Sequence, residues 1–138
     1  MSHMNEEHKR QLADVGLLLL RVVPSLMLIL RHGADKLWHF SDKADTFADP
    51  LHIGSGLSLS LAVVGEFFMP VLVLIGFGTR LAAVPSAITM AVAVFLVHAH
   101  DPLAKKELAI LYLVPYLTLI LMGGGRFAVD QLIQTKKK

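Results

Sequence analysis

Four long stretches of apolar residues, separated by polar links, dominate the chain. They cover about residues 12–31, 57–77, 81–98 and 107–122. A helix that crosses the roughly 30 Å of hydrocarbon in a bilayer needs about 20 residues, and each stretch meets or approaches that length. The pattern therefore predicts an all-α membrane protein, a four-transmembrane-helix bundle with both chain termini on the same side.

Each predicted helix contains a proline: Pro24, Pro70, Pro85 and Pro115. In a soluble helix an internal proline costs about 3 kcal/mol. In a membrane, neighbouring helices and serine or threonine side chains can bind the carbonyl groups that proline leaves without a partner. The prolines therefore favour a membrane bundle over a soluble one.

The predicted links between the helices differ in kind. The first, about residues 32–56, is long enough to be functional or partly structured, and its residues 47–51 are expected to dip back toward the bilayer. A tight turn at 76–79 joins the second and third helices, and the glycines at 123–125 end the fourth.

Composition supports the membrane assignment and narrows the chemistry. Apolar residue types make up 54% of the chain, charged types 17%, and mean hydropathy is +0.60. The chain has no cysteine, which excludes disulfides, thiol redox chemistry, cysteine-ligated iron–sulfur clusters and covalent c-type haem. Any redox role would require a bound organic cofactor, haem or metal. The net charge is only +2, and no basic face interleaved with aromatics is present, so nucleic acid is not an expected partner.

The two ends of the chain are polar. Residues 1–11 form a predicted N-terminal tail, in which Met1 to Met4 are typical of a cloning remnant, and residues 12–130 form the membrane domain. Residues 131–138 form a basic tail whose terminal lysines fit either a solvated tail or a contact with anionic lipid headgroups. Lysine and arginine are more frequent on the side of the termini, so the positive-inside rule places both termini in the cytoplasm.

Two charged residues, Arg21 and Glu66, lie deep within the predicted spans. A charge at the bilayer centre costs roughly 2.5–3.5 kcal/mol on insertion scales, so we expect the two side chains to face each other inside the bundle. The pair could be a structural link between the first two helices, or part of a polar site. In the second case Glu66 is the candidate proton acceptor, since a carboxyl group in a low-dielectric site can be shifted toward neutral pH.

A polar stripe leads from Arg21 to the outer end of the bundle. Arg21 and His32, eleven positions apart, fall within about 20° of each other on a helix. The alternating helix directions bring further polar residues to this outer end, including Lys36 and Glu107. One interpretation is a metal or haem site with His32, His98 and His100 as weak candidate ligands; the other is a set of ordinary interfacial side chains. Tyr112 is a packing residue or a hydrogen-bond donor to a ligand carbonyl.

Taken together, the order and spacing of several motifs resemble the DoxX family of small four-helix membrane proteins over about residues 12–130. The motifs are Leu20 with Arg21, RHGADKL at 31–37, Glu66, GFGTRLAA at 76–83, ELAILY at 107–112 and GGGRFAVD at 123–130. Members of this family are broadly labelled oxidoreductases, and some relatives are membrane subunits of thiosulfate:quinone oxidoreductase. The resemblance implies a bacterial inner-membrane, multi-pass protein with a membrane-bound or soluble redox partner. It does not make every member an enzyme, and the lack of cysteine argues against thiosulfate chemistry here.

The leading hypothesis is a redox-accessory protein that binds quinone or a similar apolar ligand in a polar intramembrane pocket. The predicted ligand-binding residues are Arg21, His32, Lys36, Glu66, Glu107 and Tyr112. Two alternatives belong to other classes: a non-catalytic scaffold or assembly subunit that recruits a partner, and a protein that handles a small solute, metal or haem.

Overall fold

The computed structural model describes residues 5–137, and these form six helices. The suggested cloning remnant at Met1 to Met4, and Lys138 of the basic tail, lie outside the described residues. The helices are α1 (Glu6–Trp38), α2 (Phe40–Lys43), α3 (Ser55–Ile75), α4 (Thr79–Val97), α5 (Leu103–Met122) and α6 (Val129–Lys136).

Three of these helices, α1, α3 and α4, are long and apolar enough to cross a membrane. Helix α5 is also 20 residues long, but its first turn carries Lys105, Lys106 and Glu107. Large apolar side chains such as Leu81 and Leu121 are more than three-quarters exposed on the bundle surface. Such a surface would be insoluble in water and is what a bilayer requires. The predicted all-helical membrane architecture is confirmed, with three of the four expected spans supported.

Helix α1 extends beyond the predicted span at both ends. Asn5 starts it by accepting hydrogen bonds from the backbone N–H groups of Glu7 (2.7 Å) and His8 (3.2 Å). The helix then continues to Trp38, so the expected loop from residue 32 begins only after about two further turns of helix. A helix can continue through polar residues, because its backbone hydrogen bonds do not require apolar side chains. Hydropathy alone therefore predicted an α1 that is too short at both ends.

The core lies between α1, α3, α4 and α5. Leu28, Leu59, Val73, Tyr116 and Leu119 are almost completely buried there. Helices α4 and α5 pack closely because α4 presents the small buried side chains of Ala83 and Ala87. The Ser25 and Tyr116 hydroxyl groups, 3.1 Å apart, join α1 to α5 across this core.

Two glycines set the antiparallel register of α1 against α3. A Cβ atom added to Gly33 would overlap the backbone carbonyl of Glu66, so the two main chains touch at this level. At the other end, Gly76 leaves space for the Arg21 guanidinium, which a Cβ atom would overlap. These contacts align residue 33 with residue 66 and residue 21 with residue 76.

Three of the long helices widen into π-helical turns at Ile29–Gly33, Val64–Phe68 and Ala93–Val97. Pro70 follows the second of these turns and has no N–H with which to bind the Glu66 carbonyl four residues earlier. π-Turns are frequent at functional sites because they change the direction of nearby side chains. Here they lie on α1, α3 and α4, and two of them include Glu66 and His32.

The opposite end of the bundle is closed by residues 123–130, which we call the C-terminal clip. The tight turn predicted at 76–79 is confirmed, with Gly76 and Gly78 at positive φ, and α5 ends at Gly123 as expected. From there the clip folds back under the bundle: the backbone N–H of Arg126 donates to Asp14 (2.9 Å), and that of Asp130 donates to the Gly76 carbonyl (3.0 Å).

The Asp130 carboxylate fastens the clip to the start of α4. It accepts hydrogen bonds from the backbone N–H groups of Gly78 (2.7 Å) and Thr79 (3.0 Å) and from the Thr79 hydroxyl (2.9 Å). Burial raises the pKa of Asp130, but these hydrogen bonds and the nearby Arg21 outweigh it and lower the pKa overall. The carboxylate thus caps the N-terminus of α4 from a distant part of the chain.

Replacing Gly33 with alanine should destabilise the bundle by about 1–3 kcal/mol, because the new methyl group has to push the backbones of α1 and α3 apart. Gly16→Ala on the same helix is the matched control, since no atom lies within 4 Å of its added Cβ. Thermal unfolding in detergent measures both. Equal melting temperatures for the two variants would contradict the close α1–α3 contact.

Candidate functional site

The charged centre of the molecule is an ion pair between Lys36 and Glu66. The Lys36 ammonium donates to a Glu66 carboxylate oxygen at 2.6 Å, and the two side chains are only 18% and 11% exposed. Glu66 lies in the π-turn of α3, and Lys36 lies one turn after Gly33 on α1. The contact between Gly33 and the Glu66 backbone therefore brings the two side chains within reach of each other.

The expected pairing of Arg21 with Glu66 is wrong. The Arg21 guanidinium is 2% exposed and donates to the Phe127 carbonyl of the clip at 3.2 Å. Residue 21 lies twelve positions before Gly33, which is about 18 Å along a helix, and Gly33 is level with Glu66. Arg21 therefore belongs to the closed end of the bundle, where its Nε and Nη1 atoms have no hydrogen-bond partner among residues 5–137.

Two cavities meet at the Lys36–Glu66 pair. The larger, which we call the loop cavity, has a volume of about 320 Å³ and lies between α3, α4 and the loop after α2. The smaller, the helix cavity, has a volume of about 230 Å³ and lies between α1, α4 and α5. Lys36, Glu66, Ala93 and His98 line both. The Lys36–Glu66 pair thus lies between the apolar loop cavity and the more polar helix cavity.

The loop cavity is apolar apart from the residues that it shares with its neighbour and two hydroxyl side chains. Its cover consists of loop residues, and its floor consists of side chains from α3 and α4. The apolar lining residues are Phe47, Ala48, Pro50, Leu51, Ile53, Leu61, Ala62, Ile88, Val92 and Val97.

Asp49 holds this cover in place. Its carboxylate accepts hydrogen bonds from the Ser58 hydroxyl (2.7 Å) and from the backbone N–H groups of Gly54 (2.8 Å) and Ile53 (3.0 Å). These bonds, with that from Ser58 the strongest, lower the pKa of Asp49, so the carboxylate stays ionised at neutral pH. The loop is therefore tied to the start of α3 rather than free.

The helix cavity carries most of the predicted polar ligands. His32 and Tyr112 line it and make an edge-to-face contact, with ring centroids 5.8 Å apart. His98 borders it from α4, and its Nδ1 atom lies 2.7 Å from the Asp101 carboxylate. That hydrogen bond lowers the pKa of Asp101. It involves only Nδ1, so Asp101 does not bind the other ring nitrogen of His98.

The structure brings together some of the predicted site residues and separates others. His32, Lys36, Glu66 and Tyr112 line the helix cavity. Arg21 lies at the closed end, while Glu107 and His100 are exposed and line neither cavity. Within the described part of the chain, no three His, Asp or Glu side chains converge as a metal site would need. His98, a weak candidate metal ligand by sequence, borders both cavities.

Apart from the expected dip of residues 47–51 toward the bilayer, the sequence carries only a weak signal for the loop cavity. Four large apolar side chains in a polar link, Phe47, Leu51, Ile53 and Pro50, were the available signal. Together with the Asp49–Ser58 spacing, they indicate a loop that folds onto the helices.

Comparison with known proteins agrees with the motif order. A family profile for DoxX matches residues 16–99, which is more than half of the chain and includes α3, α4 and most of α1. The chain belongs to the DoxX family. An uncharacterized protein of Haemophilus influenzae is 29% identical over 100 residues, which are 69% of this chain and 66% of that protein, just under two thirds of its length. No solved structure matches the chain. The Lys36–Glu66 pair and the Gly33 contact that positions it lie within the matched DoxX segment.

Glu66→Gln should lower the stability of this DoxX protein by about 3 kcal/mol, because it leaves the Lys36 ammonium buried without a counter-charge. The double variant Lys36→Met with Glu66→Gln should recover much of that loss, since it removes the unpaired charge. Thermal or denaturant unfolding of both single variants and the double variant forms a double-mutant cycle. Additive losses would mean that the two side chains do not interact.

Asp49→Ala should release the cover of the loop cavity, since three hydrogen bonds end on that carboxylate. Limited proteolysis is then expected to cut within residues 44–54 at least several times faster. Asp45→Ala is the matched control, because Asp45 is exposed in the same loop and its side chain makes no hydrogen bond within residues 5–137. The same cleavage rate in both variants would contradict the role of Asp49.

Proposed function

We propose that this DoxX protein binds quinone or a similar apolar ligand at the Lys36–Glu66 pair and acts as a redox-accessory subunit. The observation that carries the proposal is the junction of two cavities at one buried ion pair. The loop cavity alone, at about 320 Å³, reaches the lower end of the range for ligand pockets, roughly 300–1,000 Å³.

Each compartment has a role in this proposal. The apolar loop cavity would hold the ligand's hydrocarbon part beside Ala62 and Val92. The Lys36 ammonium would donate to a ligand carbonyl, a charge-assisted bond of about 1.5–3 kcal/mol, and Tyr112 and His32 would contact the ring from the helix cavity. Glu66 would accept the two protons of the quinol one after the other, releasing the first before it accepts the second, while the two electrons pass to a redox partner protein.

His98 connects this site to the surface. Its side chain is about one-third exposed and is held by Asp101, and it borders the same cavities as Glu66. A proton accepted by Glu66 can leave through His98 toward water. The closed end offers no such route, because Arg21 places a fixed positive charge there under the clip.

The placement in the membrane completes the proposal. Helix α5 is a fourth span whose charged first turn lies at the membrane surface near Asp101. Both termini lie in the cytoplasm, as the charge distribution of the links favours. The protein resides in a bacterial inner membrane, which the DoxX family and the bacterial relative support.

Mass spectrometry of small molecules that co-purify with the protein tests ligand binding directly, and we expect a quinone. Added short-chain ubiquinone should bind the wild type, and Glu66→Gln should weaken binding about tenfold and abolish quinol turnover while circular dichroism still reports a folded bundle. Glu7→Gln, an exposed change of the same kind at the start of α1, should bind as the wild type does. A purified protein that carries no quinone and binds none would overturn the proposal and favour a non-catalytic scaffold.

A further inference from the structure

A large cavity lies at the closed end, far from the Lys36–Glu66 pair. This cleft has a volume of about 830 Å³ and runs between the clip, the first turn of α4 and the side of α6. Its polar lining includes Arg80, Arg126, Asp14, Asp130, Gln131 and Gln134. We call it the arginine cleft.

The two carboxylates in this cleft are already used by hydrogen-bond donors of the chain. Asp14 accepts from the backbone of Arg126, and Asp130 accepts three hydrogen bonds from Gly78 and Thr79. The guanidinium groups of Arg80 and Arg126 are different. Neither forms an ion pair or donates a side-chain hydrogen bond within residues 5–137. The cleft therefore contains two guanidinium groups that have no partner among the described residues, although the charges of its two arginines and two aspartates sum to zero.

Arg80 is exposed, and its side chain passes close to the main chain at Gly123. A Cβ atom added at Gly123 would be 3.3 Å from the Arg80 Nε atom, and Gly123 has a positive φ of 80°. A larger residue at Gly123 would therefore strain the backbone and press on the arginine. The absence of a side chain at Gly123 thus leaves room for the Arg80 guanidinium group at the floor of the cleft.

The rim of the cleft is apolar. Leu81 and Met122 line the cleft and are each more than half exposed. On α6, the exposed Leu132 and Ile133 lie beside Lys136 in the pattern of an amphipathic helix on a membrane surface. An anion that binds between the arginines would therefore be surrounded by side chains suited to hydrocarbon.

We propose that the arginine cleft binds the phosphodiester headgroup of an anionic phospholipid from the surrounding bilayer. Two guanidinium groups can hold phosphate oxygens through charge-assisted hydrogen bonds, and the apolar rim contacts the acyl chains. This rim favours a lipid over a free phosphate ion. An anionic lipid fits better than a zwitterionic one, because it brings no ammonium group near Arg80 and Arg126.

Native mass spectrometry of the full chain, released from nanodiscs of phosphatidylcholine with one-fifth phosphatidylglycerol, tests this site. The wild type should retain phosphatidylglycerol, and Arg80→Gln with Arg126→Gln should retain about tenfold less. The matched control is Arg10→Gln with Arg31→Gln, which removes the same charge from exposed positions outside the cleft and should retain lipid as the wild type does. The variant Arg80→Lys with Arg126→Lys should retain an intermediate amount, which separates loss of charge from loss of fold.

Two results would overturn the proposal. One is equal lipid retention by the cleft variant and the matched control, because the lipid would then follow net charge alone. The other is complete displacement of the lipid by millimolar inorganic phosphate, because the site would then prefer a soluble anion.

Discussion

The molecule is organised around a close backbone contact between two antiparallel helices. Gly33 on α1 touches the carbonyl of Glu66 on α3, and this contact fixes the register of the whole α1–α3 pair. Once residue 33 is level with residue 66, Lys36 reaches the Glu66 carboxylate and Arg21 comes level with Gly76. The buried ion pair and Arg21 are therefore all positioned by one contact that a single methyl group would disrupt.

This register divides the bundle into two chemically different ends. At one end, π-turns, the Lys36–Glu66 pair and the loop tied by Asp49 leave two connected cavities. At the other end, the clip lies across the bundle and is fixed by Asp14, Arg21 and Asp130. The first end leaves room within the helices beside a buried ion pair. The second end closes the helices and holds the arginine cleft beneath the clip.

Prolines and glycines inside helices would destabilise a soluble bundle, but here they take part in the packing of the helices around the charged pair. Pro70 removes the N–H that would bind the Glu66 carbonyl in a regular helix, and Gly33 packs against that same carbonyl. Gly65 allows α4 to approach with Thr89, whose hydroxyl donates to the Pro85 carbonyl at 2.9 Å. Helix irregularity and close packing thus occur together, at the level of the charged pair.

The sequence alone determined the membrane character, the family, the main helices and the residue types available for chemistry, because these depend on local composition and spacing. Four of the six predicted ligand-binding residues do line one cavity: His32, Lys36, Glu66 and Tyr112. Only the tertiary structure decided that Glu66 pairs with Lys36 and that Arg21 binds the clip. Arg21 lies near the middle of α1 both in the predicted span and in the structure, so its position along α1 does not show which part of α3 it meets. The position of Arg21 relative to α3 depends on which backbone atoms of the two helices are in contact. The sequence alone does not show which carbonyl group a given glycine will contact.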